Sequence, residues 1–201
     1  MYDFKPSEGQ SIGSDAEGVG VDRAFLAHFQ IVAEKATVAS TTGIHAAVTD
    51  TGAQQVVTTG ITQPSVPRNV TATAGGTAGD IKAIQVIVAG TNYAGEAITE
   101  TLPAFTVDTA GSVTGSKAFK TITSITIPAH DGTGATTAIG FGEKLGLPYK
   151  LAHNTVLSAY LDNAKEGTAP TVTISTTAIE SNTIDLNSAL ASKVVDAYLM
   201  V

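Results

Sequence analysis

The chain has 201 residues, 43% hydrophobic and 14% charged, with a formal net charge of −7. That supplies enough apolar material for one domain with a sizeable core and argues against a wholly disordered chain. The acidity and the scattered placement of only 11 Lys and Arg remove the electrostatic basis for direct nucleic-acid binding, and the lack of Cys removes disulfides, thiolate nucleophiles and Cys-ligated zinc.

Aromatic residues make up 5% of the chain and Trp is absent, while Gly occurs 20 times and Pro 7 times. Bulk comes instead from Val, Ile, Leu, Ala and Thr. Val, Ile and Thr are stiff at χ1 and suit pleated, half-buried surfaces. Short strands with frequent turns are the expected outcome.

Residues 1–22 (MYDFKPSEGQSIGSDAEGVGVD) are polar and glycine-rich and are expected to form an extended arm. They lack a basic stretch followed by an apolar run, so no secretory signal is expected. No stretch approaches the roughly 20 apolar residues of a membrane span. Residues 23–36 (RAFLAHFQIVAEKA) fit a short helix or a strand, and the apolar set at odd positions favours strand. Residues 1–36 are thus read as an arm with a short lead-in element, and 37–201 as one β-domain.

From residue 37 the pattern is β. GIHAAVTD and QQVVTTGIT are separated by Asp50, Thr51 and Gly52. The two prolines of QPSVPRN mark a crossing between sheets or an edge. In NVTATAG, Val70, Ala72 and Ala74 face one way and Asn69, Thr71 and Thr73 the other. IKAIQVIVAG and EAITETLPAF form a hairpin around TNYAG, with Asn92 and Gly95 available for positive φ. TVDTAGSVTGSKAF reads as loop. FKTITSITIP reads as a strand in which Phe119, Thr121, Thr123, Ile125 and Ile127 alternate with Lys120, Ile122, Ser124 and Thr126. ATTAIGFGEKLGLPYKL brings a further strand and a bend. TVLSAYLDN and TVTISTTAI flank KEGTAP. The tail is expected to begin as a short helix after Asp185 or Asn187 and to end as an apolar strand docked in a sheet or on a neighbour. About ten strands at roughly 8–12-residue spacing predict an all-β, β-sandwich or jelly-roll-like domain.

No residue constellation predicts catalysis, a cofactor or a metal. His130, Asp131 and Gly132 have the chemistry of an acid–base pair, but Asp-Gly after a strand ending in Pro128 is a turn signal. Glu143 and Lys144 read as a solvated pair at a bend. Glu96 and Glu100 sit on one strand without the aromatic platform of a sugar-cleaving cleft. Neither glycine-rich phosphate loop nor nucleophile elbow occurs.

Four stretches carry a resemblance: PSVPRNVTATAGG, AGEAITETLPAF, GSKAFKTITSI, and DGTGAT followed by GFGEKLGLP. Spanning about residues 60–150 in all, they resemble proteins encoded in the virion-structure modules of tailed bacteriophages and prophages. The resemblance implies a non-enzymatic virion component with no catalytic motif to transfer. Among virion parts, an acidic, Thr-rich, cysteine-free β-domain fits a capsid decoration or cement protein. Such a protein is made in the host bacterial cytoplasm and sits on the capsid surface. Its partner would be the major capsid protein, and it would form a homo-oligomer, a trimer in first place, with no direct nucleic-acid or membrane contact. A tail-tube or neck protein and a carbohydrate-binding fibre module are the alternatives. Scarce aromatics at the start of the chain make Tyr2, Phe4, Phe25 and Phe29 the candidate partner contacts. The competing reading has Phe25 and Phe29 capping the sandwich core.

Overall fold

A computed structural model describes residues 11–13, 15–17, 20–22 and 24–201. Its strands are β1 (Ser11–Gly13), β2 (Gly20–Asp22), β3 (Leu26–Ile31), β4 (Ser40–Thr49), β5 (Gln55–Val57) and β6 (Arg68–Gly76). There follow β7 (Ile87–Thr91), β8 (Ala97–Thr101), β9 (Gly111–Phe119), β10 (Thr121–Ile127) and β11 (Ala135–Gly146). The chain ends with β12 (Val156–Leu161), β13 (Ala164–Lys165), β14 (Thr171–Thr173), β15 (Thr183–Asp185) and β16 (Val195–Met200). Three single 3-10 turns are the helical content among the described residues. The fold is all-β and sandwich-like, as the composition predicts.

Two apolar cores share one strand. In the first, the sheet β5-β10-β7-β8 supplies Val88, Ile122, Ile125 and Ile127, and β4, β6 and β11 supply Ile44, Val70, Ala72 and Ile139. In the second, the sheet β13-β12-β16-β3 supplies Phe29, Ile31, Leu161, Val195, Ala197 and Leu199. These pack on Leu145 of β11 and Ile184 of β15. The twelve-residue β11 passes through both. Its first part lies between β4 and β6, and its last residues pair with β15. Each Ile, Leu or Val fully buried in this way stabilises the fold by about 1.5–3 kcal/mol.

The predicted hairpin forms. β7 and β8 pair from Ile87↔Thr101 to Thr91↔Ala97. Gly95 takes φ +84, but Asn92 acts through its side chain: Oδ1 accepts the N–H groups of Ala94 and Glu96 at 3.0 Å each.

Four expectations change. The segment read as loop contains β9, which pairs with β6 from Gly111 to Phe119. Its buried residues gather at its end, at Ala118 and Phe119, with Gly115 before them, so it lacks the apolar alternation that marks a half-buried strand. In β10, strict alternation would set Ile122 on the face opposite Ile125 and Ile127. The ladder to β7 shifts register between Ile122 and Ser124, and all three isoleucines are buried. No helix follows Asp185 or Asn187; the segment is turns, with Ala191 and Ser192 at φ +47 and +56, before β16 enters the middle of its sheet. Finally, two short strands within the expected arm, β1 and β2, pair with each other instead of extending, from Ser11↔Asp22 to Gly13↔Gly20. β3, within the expected lead-in, pairs along its whole length with the C-terminal β16.

Candidate interaction surface

The stretches that carry the resemblance supply buried polar side chains that tie β6, β8, β9 and β11 together. Arg68 has no solvent exposure. Its Nε donates to the Gly142 carbonyl at 2.7 Å, and Nη1 donates to the Thr37 carbonyl at 2.9 Å and hydroxyl at 3.2 Å. Its guanidinium carbon lies 4.4 Å from the centre of the Phe141 ring. Burial pushes its pKa down to about 10, with nearby Glu143 acting in the opposite direction, so it stays charged at neutral pH. Asn69 is equally buried. Its Nδ2 donates to the Gly115 carbonyl at 3.2 Å, and its Oδ1 accepts the Lys144 N–H at 3.1 Å.

These two side chains hold a wide break in the β6–β11 ladder, where Val70 pairs with Phe141 and Arg68 with Leu145. The bend read at GFGEKLGLP is this bulge, inside the long strand. A Cβ on Gly142 would lie 2.6 Å from the Asn69 amide, so only glycine lets Asn69 close the gap.

The β8 carboxylate Glu100 does the same for β9. Its Oε1 accepts the Ser116 N–H at 2.6 Å, the Ser116 hydroxyl at 2.9 Å and the Lys117 N–H at 3.3 Å. Lys117 Nζ donates to the Thr99 carbonyl at 3.0 Å and lies 3.7 Å from Glu180 Oε1. Asn92 Nδ2 donates to Glu96 at 2.8 Å and to Glu180 at 3.2 Å. Burial pushes the Glu180 carboxyl up, but its own backbone N–H, Asn92 and Lys117 together hold it below its ordinary 4.5. Glu96 and Glu100 are thus engaged separately, one at the hairpin turn and one in clamping β9.

His130, Asp131 and Gly132 form a loop bonded to its own surroundings. The His130 N–H donates to Asp50 at 2.8 Å. Its Nδ1 accepts the Lys82 N–H at 3.1 Å, which leaves the proton on Nε2, 3.0 Å from the Thr137 hydroxyl. Burial lowers the His130 pKa against the pull of Asp50 and Asp131. Asp131 pairs with Lys82 at the surface, 2.9 Å apart. Among the described residues no three His, Asp or Glu side chains group to hold a metal ion.

Of the predicted contacts, Tyr2 and Phe4 lie outside the described residues. Phe25 is 42% exposed, whereas Phe29 is buried in the second core. Phe25 stands at one end of the sheet formed by β3, β16, β12 and β13, beside exposed Leu26 and Val201. The outer face of that sheet carries a cluster that sequence reading missed. The His28 ring stacks on Tyr198 at 4.7 Å and 7°, and Tyr160 meets Tyr198 edge-on at 5.9 Å. Asp196 Oδ1 accepts both His28 Nε2 at 2.7 Å and Gln30 Nε2 at 2.8 Å. His28 and Gln30 lie near one end of the chain and Asp196 and Tyr198 near the other; the β3–β16 register brings them together, and the β12–β16 register adds Tyr160. Aromatic rings held in place by neighbours bind a partner at low entropic cost, and Tyr is enriched at protein interfaces.

No protein-family model, curated protein or solved structure matches this chain. No helix among the described residues is long and apolar enough to cross a membrane.

Proposed function

We propose that this chain is a non-enzymatic structural protein of a tailed-bacteriophage virion, one that binds the outer capsid surface and clamps neighbouring major capsid proteins. The observation that carries the reading is the use made of the residues in the resembling stretches. Arg68, Asn69, Glu100, Ser116, Gly142 and Lys144, all from the resembling stretches, lock strands to one another. They specify a scaffold, and a scaffold of this kind serves by holding a shape.

The outer face with His28, Tyr160 and Tyr198 is the contact surface we assign to the capsid partner. A protein bound across subunit boundaries stabilises the assembled shell by mass action, because it binds the lattice and not separated subunits. A homo-oligomer, a trimer in first place, adds avidity through simultaneous contacts.

Quantitative mass spectrometry of separated heads and tails tests the reading. Many copies on heads, in fixed ratio to the major capsid protein, support it. Recovery with tails, or a handful of copies per particle, overturns it in favour of a tail-tube or neck component. The surface assignment has its own test. Tyr198→Ala should weaken binding to heads lacking the protein by about tenfold or more, the loss of one interface aromatic, with little change in melting temperature. Unchanged head binding would remove this face from the interface.

A further inference from the structure

Asn92, Lys117 and Glu180 come from three separate elements and are brought together by the fold. Asn92 directly follows β7, Lys117 lies on β9, and Glu180 sits in the 3-10 turn Ile179–Ser181. β7 and β9 belong to different sheets. Asn92 and Glu180 are buried, and the Lys117 side chain is partly exposed. The carboxyl group of Glu180 spans the other two. Its Oε1 lies 3.7 Å from Lys117 Nζ, and its Oε2 accepts Asn92 Nδ2 at 3.2 Å.

The Asn92 amide is held as an acyl donor would be. Its Oδ1 accepts two backbone N–H groups, those of Ala94 and Glu96. Such a pair draws electrons from Cγ and would stabilise the negative oxygen formed when a nucleophile adds there. Its Nδ2, the atom that would leave, donates to the carboxylates of Glu96 and Glu180. The turn itself needs only the Oδ1 bonds. The second pair of bonds fixes the leaving nitrogen on a group that also reaches the nearest amine.

We propose that Lys117 Nζ attacks Asn92 Cγ to form an amide bond within the chain, releasing ammonium, with Glu180 carrying the protons. Glu180 is a carboxylate at neutral pH. It takes one proton from the Lys117 ammonium and so frees the nitrogen lone pair. Burial favours that transfer, because two opposite charges become two neutral groups. Nζ leaves the Thr99 carbonyl and adds to Cγ, and the charge on Oδ1 falls against the Ala94 and Glu96 amides. Nδ2 takes up, by way of Glu180, the two protons that Nζ gives. The Cγ–Nδ2 bond breaks, ammonium departs, and Glu180 ends as the carboxylate it began. Nothing is oxidised or reduced. The product is a covalent tie between the end of β7 and β9, across the two sheets.

The intact mass of the full-length chain tests the proposal. After incubation of the folded protein at neutral pH, the mass should lie about 17 Da below the sequence value, one ammonia. Trypsin should then leave Lys117 uncut and give residues 83–120 as one looped peptide. Lys117→Arg keeps the cation without the reactive amine and should keep the full mass. Glu180→Gln keeps the shape without the base and should slow the loss at least about 100-fold. The parent chain carries the test by itself, so a variant that fails to fold leaves it decided. A full mass after prolonged incubation, in a parent chain with native circular dichroism, would overturn the bond. So would a mass loss that persists in Lys117→Arg, which would place the reaction elsewhere. A gain of about 1 Da at Asn92 would also overturn it, since water would then have taken the place of the amine.

Discussion

Arg68 is a buried cation whose bonding partners among the described residues are two carbonyls, a hydroxyl and the face of a ring. It stands where the cores meet, paired with Phe119 of the first core on one side and Leu145 of the second on the other. Arg68→Ala would leave the Gly142 and Thr37 carbonyls without that donor and open a void. We expect a loss of about 3–5 kcal/mol, read as a lower midpoint in urea unfolding. His130 sets a pH dependence. Its folded pKa lies below the ordinary 6.5, so the unfolded chain takes up a proton first as pH falls. Its contribution is therefore intact above 6.5 and declines between 6.5 and the lower folded value. His130→Asn should flatten the fall in stability between about pH 7 and 5, measured by denaturant midpoints across that range. Glu180, held low, adds a loss of the same direction at more acidic pH. Asp185, whose pKa burial raises, with Lys144 opposing and Glu143 adding, contributes the opposite slope. None of these roles could be read from residue type. Pro67-Arg68-Asn69 reads as a crossing between sheets or an edge leading into a strand, and nothing local says that both polar side chains turn inward.

At the scale of elements, the parts most legible in the sequence were those whose partners are close in the chain. The β7–β8 hairpin is one, because five turn residues with a well-placed glycine set its register. The less legible parts depend on distant partners. β9 looks like a loop until β6 lies beside it and Glu100 reaches its backbone. The bulge in β10 was hidden because a shift of one residue changes which side of an alternation is buried. Gly115 makes the dependence testable. A Cβ there would lie 2.7 Å from Glu100 Oε2 and 2.8 Å from Leu102 Cδ2. Gly115→Ala should cost about 1–3 kcal/mol by displacing the carboxylate from the Ser116 and Lys117 amides, with faster hydrogen exchange at those two sites. Stability equal to the parent chain would show that the β8–β9 clamp is not needed.

For the whole molecule, the sandwich class was legible because strand spacing and composition average over many residues. Its division into two cores was not, since the division arises from which halves of β11 face which sheet. The candidate surface was hidden for the same reason: His28 and Tyr198 are 170 residues apart in sequence and adjacent in space. Because β11 passes through both cores and Arg68 pairs with a residue of each, we expect one cooperative unfolding transition. Leu199→Ala, a fully buried site in the second core, should lower stability by about 2–5 kcal/mol and move the whole transition together. Far-ultraviolet circular dichroism and the near-ultraviolet tyrosine signal should then give coincident curves. Separate midpoints would mean that each core melts by itself.

The continuity of β11 also decides how the molecule answers a pull. Tension applied along that strand, from one core to the other, runs through covalent backbone and cannot part the halves at a hinge. Its ladders to β4, β6 and β15 would be loaded lengthwise, many hydrogen bonds at once, instead of opening one after another from an end. The wide bulge at Gly142–Lys144 is the natural slack in this line. Arg68 and Asn69 fasten it from the side, so the extra residues cannot be drawn straight until those bonds give way.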